Sequence, residues 1–158
     1  MNPVPHGTRI PHILQHYRTI AVVGLSPKSH RASFDVASYL QANGYRIIPV
    51  NPKVAALQGQ VLGEKAYATL LEAAQHEKIE LVNCFRRSED IPPIVDDAIA
   101  IGAKAVWMQL GIANASAAAK DEAAGLLVVQ DHCIKIDHKV LWTRGLLQAP
   151  GPIAPATI

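Results

Sequence analysis

The sequence predicts an α/β fold: an open parallel five-stranded sheet with helices on both faces. Three observations carry this reading. Five short apolar runs, at 19–24, 46–50, 79–85, 104–108 and 126–130, alternate with helix-like patterns. That alternation calls for parallel pairing through right-handed crossovers. The first run, TIAVVG, is rich in β-branched residues and stops abruptly at Gly24 before the polar stretch SPKSHRAS, as a strand buried on both faces does on leaving its sheet. Finally, 158 residues with 49% hydrophobic and 18% charged suit one domain with a substantial core.

Residues 1–18 read as an N-terminal arm and short helix, 19–142 as the sheet domain, and 143–158 as a proline-rich tail ending APGPIAPATI. Ile10, Ile13, Leu14 and Tyr17 keep helical spacing, which predicts a helix over 9–17 covering the sheet. Ser33 is placed to cap a helix over 34–43, with Phe34, Ala37 and Leu40 on one face and Gly44 as its left-handed stop. The second strand ends at Asn51-Pro52-Lys53, where proline removes a donor just as pairing should cease. A loop containing Gly59 and Gly63 follows. Thr69 and Glu72 then have capping-box spacing ahead of a helix over 70–76. Pro92 and Pro93 open the next helix, whose stripe is Ile94, Val95, Ala98 and Ile99 and whose stop is Gly102. Asn114 caps an alanine-rich helix ending at Gly125. Trp107 and Met108 belong to the core, and His12, His16, His76 and His138 to the surface.

The expected strand order is 3-2-1-4-5, with the switch point between strands one and four. That order sets Cys84 and Cys133 four strand spacings apart, roughly 19 Å at ~4.8 Å each, too far for a disulfide or a shared metal. No apolar run approaches the ~20 residues of a membrane helix. The start, MNPVPHGTRIPH, has no apolar signal core, so an intracellular, cytoplasmic protein is expected. A net charge of +2, aromatics at 5% and the lack of a basic stripe speak against nucleic acid. An apolar edge strand or the tail would suit a homodimer or an unknown protein partner.

In such a sheet every strand's carboxyl end faces one edge, and the loops there carry the chemistry. Loop one offers Ser26, Pro27, Lys28, His30, Arg31 and Ser33; loop two offers Asn51, Pro52 and Lys53; loop three offers Arg86 and Arg87. Five Lys and Arg side chains from three loops thus converge, which suits a ligand with several phosphates held by helix N-termini and charge-assisted bonds. The competing reading is ordinary loop polarity, with Arg86 and Arg87 paired to Glu89 and Asp90. GLSPKS is not G-x-G-x-x-G, and no G-x-x-x-x-G-K-[ST] occurs. Strand two ends in Asn-Pro-Lys, not in the acidic residue that holds an NAD ribose. A lysine there favours an extra ribose phosphate, and coenzyme A and NADP both fit.

The segments VVGLSPK, GYRIIPVNPK, LGEKAY, FRRSEDIPPIVDDAIAIGAKAVWMQLGI and AAGLLVVQDHCIKIDH resemble, in the right order over roughly 10–142, the small stand-alone CoA-binding proteins. That family is similar to the CoA-binding domain of the succinyl-CoA ligase α subunit. The resemblance implies a Rossmann-like fold with CoA across the carboxyl edge. By that analogy Ser26, Pro27 and Arg31 cradle phosphates, and Ser33 opens the helix beneath them, with Gly24 letting the ligand approach closely and Lys28 among the binding residues. Val50, Asn51, Pro52 and Lys53 flank the adenosine and its 3′-phosphate. Phe85, Arg86 and Arg87 cover the adenine side, and Gln109 and Leu110 line the pantetheine path. The ligase family carries its phosphohistidine in a second domain, and none of the seven histidines here lies in a matching context. The resemblance therefore carries over binding of CoA or an acyl-CoA, not ligase chemistry.

Asp131, His132 and Cys133 adjoin in sequence, but sequence neighbours seldom form a nucleophilic triad, and a cysteine after a parallel strand reads first as a packed hydrophobe. Its placement near a CoA thiol would allow a mixed disulfide under oxidation. The sequence thus predicts a non-catalytic CoA-binding protein. The alternatives are an NAD(P)-binding redox sensor and an acyl-CoA ligase component working with a separate subunit.

Overall fold

The computed structural model describes residues 6–148. In chain order it contains α1 (Arg9–His16), β1 (Thr19–Val23), α2 (Ala32–Ala42), β2 (Arg46–Val50), α3 (Pro52–Ala56), β3 (Gln60–Val61), β4 (Glu64–Lys65), α4 (Leu70–Ala74), β5 (Leu81–Cys84), α5 (Ile91–Ala100), β6 (Ala105–Met108), α6 (Ala115–Ala123), β7 (Leu127–Val129) and α7 (Ile134–Thr143). Five strands form one parallel sheet in the order β2-β1-β5-β6-β7. The expected α/β sheet is present, but its order differs from 3-2-1-4-5. The third of the five strands, β5, lies between β1 and β6, and β2 is at the edge.

Pro49 accounts for that edge position. Its carbonyl accepts from Tyr67 N at 3.0 Å on the side away from β1, so its missing donor falls where no sheet strand needs one. β5 has no exposed residue, Asn83 included, as befits an interior strand. The reordering halves the predicted cysteine separation to two strand spacings, ~10 Å. Both thiols are free.

Side chains alternate across the sheet with the strand period of two. Ile20 and Val22 join a cluster with α1, α2 and α7, whereas Ala21 and Val23 join one with α4, α5 and α6. The helix after β1 therefore leaves on one face and the helix after β5 on the other. This divergence opens a crevice between two adjacent strands, where α/β sheets take their ligands.

Several helix ends follow the sequence cues. Thr69 Oγ1 accepts from Glu72 N, and Asn114 Oδ1 accepts from Ala117 N. Gly44 and Gly125 adopt φ of +93° after α2 and α6. Ser33 departs from expectation. The helix begins before it, at Ala32, and the Ser33 hydroxyl accepts from Ser26 N instead. Asn51 and Pro52 do more than end a strand: Asn51 Oδ1 caps α3 by accepting from Lys53 N and Val54 N. The loop expected after them holds α3 and the β3–β4 hairpin.

α7 was expected neither as a helix nor as the setting of a buried histidine. His138 is 1% exposed, its Nδ1 lies 2.7 Å from Tyr39 Oη, and its ring stacks on Trp142. Burial lowers its pKa. Of the expected tail, Thr143 closes α7 and Leu147 is buried, while 149–158, like arm residues 1–5, lie outside the described residues. Asp121 on α6 is fully buried, and neither carboxylate oxygen has a partner. Burial, with Asp96 and Glu122 adding repulsion, pushes its pKa up to about 7. Among the described residues no helix is long and apolar enough to cross a membrane.

Candidate functional site

Gly24 fixes the centre of the carboxyl edge. It ends β1 at φ +88°, and a Cβ there would lie 2.6 Å from the Phe85 carbonyl oxygen and 3.0 Å from Arg86 Cδ. Only glycine lets the loop after β1 pass this close to the loop after β5. Gly24 N donates to Val50 O on the other side, and Phe85 N donates to Val23 O. The ends of β2, β1 and β5 are thus locked in one row.

Loop one is folded by its own polar groups. Ser33 Oγ accepts from Ser26 N at 3.0 Å, and Ser26 Oγ accepts from Lys28 N at 3.1 Å. Asn51 ties loop two to it, its Nδ2 donating to Leu25 O at 2.9 Å. Ser26, Ser33 and Asn51 therefore hold backbone in place, which a sequence reading of them as direct ligand groups does not reveal.

Two adjoining clefts lie along this edge. The larger, about 1100 Å³, is lined by Gly24, Ser26, Pro27, Lys28, Arg31 and Ser33 from loop one and by Val50, Asn51, Pro52 and Lys53 from loop two. Phe85 and Arg86 close its third side. The smaller, about 700 Å³, is lined by Arg87, Gln109 and Leu110, and shares Ala32, Phe85 and Arg86 with the first. All fifteen sequence-predicted site residues therefore border one or other cleft.

The cations are not equivalent. Among the described residues Lys28, Arg31 and Lys53 make no ion pair, and all three are exposed. Arg87 is engaged by Asp90 at 3.1 Å and Glu89 at 3.2 Å, and its hydrogen bond holds the Asp90 carboxyl below its usual range. Arg86 reaches Asp90 only at 3.9 Å. The local pairing considered from sequence thus holds for Arg87, and the unpaired positive charge collects on loops one and two. Glu89, Asp90 and Asp97 make the opposite wall acidic.

Sequence reasoning missed Thr69 and Leu57 in the first cleft, and Val36, Ile112 and Ile136 in the second, whereas Lys135, expected at this edge after the last strand, does line the second. Ile136 was out of reach because α7 was not foreseen. Asp131, His132 and Cys133 form no triad: Asp131 Oδ1 accepts from Gly111 N, and His132 Nδ1 faces Asp137 Oδ2 at 2.8 Å. Cys133 borders the second cleft, half-buried. Among the described residues no cluster of three or more His, Cys, Asp or Glu could hold a metal ion.

Comparison with known proteins bears on what these clefts hold. An uncharacterized Bacillus subtilis protein, YneT, is 39% identical over 136 residues, covering 86% of this chain and 96% of its own. A hypothetical protein from Pyrococcus horikoshii, solved as a structure, is 36% identical with a TM-score of 0.79, covering 90% of this chain and 99% of its own. A dinucleotide-forming acetyl-coenzyme A synthetase from Ca. Korarchaeum cryptofilum, 17% identical with a TM-score of 0.62, shares the fold over 75% of this chain and 26% of its own. A family model described as a CoA binding domain matches residues 18–139. The chain belongs to the CoA binding domain family.

Proposed function

We propose that this protein binds coenzyme A or an acyl-CoA at the carboxyl edge of its Rossmann-like sheet, without catalysis of its own. The observation that carries this reading is the pairing of two unlike clefts through shared walls. One offers unpaired cations, Lys28, Arg31 and Lys53, and the other is mostly apolar. Coenzyme A has the matching polarity, a phosphorylated nucleotide at one end and a thiol-tipped pantetheine arm at the other.

In this reading the pyrophosphate lies against loop one and the start of α2, where helix-terminal amides and Arg31 meet it. Lys53 takes the 3′-phosphate, with Val50, Asn51 and Pro52 beside the adenosine. Phe85 and Arg86 form the ridge over which the pantetheine arm passes toward Gln109 and Leu110. The rigid row made by Gly24 keeps this path preorganised.

The variant Arg31→Ala/Lys53→Ala tests the assignment, because both side chains are exposed and their loss should leave the fold intact. Titration calorimetry is expected to show CoA affinity reduced at least tenfold, with thermal stability unchanged. Unchanged affinity would place the ligand elsewhere.

A further inference from the structure

The second cleft holds more than a pantetheine arm requires, and its chemistry indicates what else enters it. Gln109 is 5% exposed. Its Oε1 faces inward, accepting from Asn83 Nδ2 at 3.3 Å and Ile134 N at 3.4 Å. That arrangement leaves Nε2 on the cleft side, where no described residue accepts from it. Left without a protein acceptor, Nε2 can give one hydrogen bond to a carbonyl oxygen entering from the cleft.

Beyond Gln109 the walls are apolar. Ile112, Val36 and Cys133 line the interior, while Leu110 and Ile136 stand at the rim, 64% and 55% exposed. The charged groups at this end each have a carboxylate or ammonium partner: Lys135 Nζ donates to Asp35 Oδ2 at 2.8 Å, Arg87 is held by Asp90 and Glu89, and Arg86, on the ridge shared with the first cleft, reaches Asp90 at 3.9 Å. The cleft therefore presents one free amide donor, an apolar lining and no cation without a carboxylate already beside it.

We infer that the physiological ligand is a CoA thioester with an uncharged aliphatic acyl chain. The chain lies between Leu110 and Ile136, and Gln109 Nε2 donates to a carbonyl of the acylated arm. This inference rests on the CoA reading above and adds the acyl class to it. A chain seated there covers the exposed Leu110 and Ile136, and each methylene removed from water is worth about fourfold in affinity.

Titrating the protein in parallel with CoA, octanoyl-CoA and succinyl-CoA tests it. Octanoyl-CoA is expected to bind at least tenfold tighter than CoA, and succinyl-CoA no tighter than CoA. The ratio of octanoyl-CoA to CoA affinity should fall to near one in Ile136→Lys, which places a charge at the rim of an exposed helix face. Equal binding of octanoyl-CoA and CoA, or a preference for succinyl-CoA, would overturn the acyl assignment and leave the CoA reading standing. An Ile136→Lys ratio equal to that of the parent would overturn the location. Failure of CoA and both thioesters to bind would instead remove the CoA reading itself.

Discussion

Replacing Gly24 with alanine probes the row of strand ends on which the site is built. The new methyl group would sit 2.6 Å from the Phe85 carbonyl oxygen, 3.2 Å from its carbon and 3.0 Å from Arg86 Cδ. The arginine methylene can swing away, but the backbone carbonyl cannot without moving β5 or loop one. Positive φ costs a non-glycine residue about 1–2 kcal/mol, and relieving an overpacked contact costs roughly 1–3 kcal/mol more. The sum is about 2–5 kcal/mol, which for a domain of this size lowers Tm by roughly 5–15 °C. Because the contact separates loop one from loop three, the same shift should widen the passage between the clefts and weaken CoA at least tenfold at a temperature where the variant is folded. Differential scanning fluorimetry and calorimetric titration read the two effects. A Tm within 2 °C of the parent together with unaltered affinity would refute the close approach as the organising constraint.

The buried Asp121 predicts a pH dependence of stability. Its folded pKa, about 7, stands above the ordinary 3.8, so between those values the unfolded chain releases a proton that the folded chain keeps. Stability therefore falls as pH rises from about 4 to 7. The gap, at 1.36 kcal/mol per unit, makes the cost of order 4 kcal/mol by pH 8. Asp121→Asn should be markedly more stable than the parent at pH 8, with the gap shrinking to about 1 kcal/mol at pH 4.5 in urea unfolding; a difference independent of pH would sink the assignment. His138, whose lowered pKa destabilises the fold as pH drops below 6.5, cancels in that comparison. Cys133 should form a mixed disulfide when the protein is incubated with CoA disulfide, its thiolate displacing one free CoA, whereas Cys84, buried with its thiol pushed up to about 12, should not. Intact-mass measurement on the parent and on Cys133→Ser decides this, and no adduct on the parent would end the idea.

Much of this architecture was legible because the apolar runs and capping residues act locally. The strands at Thr19–Val23 and Arg46–Val50, the Thr69 and Asn114 caps and the glycine stops all follow from a few neighbouring residues. Strand order is a different matter, since right-handed crossovers are compatible with either placement of the third strand. The overlooked signal was Pro49 within RIIPV, which belongs on an edge strand. α7 was missed because His138 interrupts the apolar spacing of Ile134 and Leu141, although its imidazole is satisfied by Tyr39. Among site residues, the convergence of cations on one edge could be read from the loops. What could not be read was which of them would be neutralised locally, because that depends on how the Ser88–Asp90 turn folds Asp90 back onto Arg87.

Parallel titration of the protein with CoA, 3′-dephospho-CoA and NADPH tests the central claim most directly. Lys53 in loop two is assigned to the ribose phosphate, so CoA should bind, dephospho-CoA at least tenfold more weakly, and NADPH not measurably. Binding of NADPH without CoA would contradict the account and make the protein a pyridine-nucleotide binder.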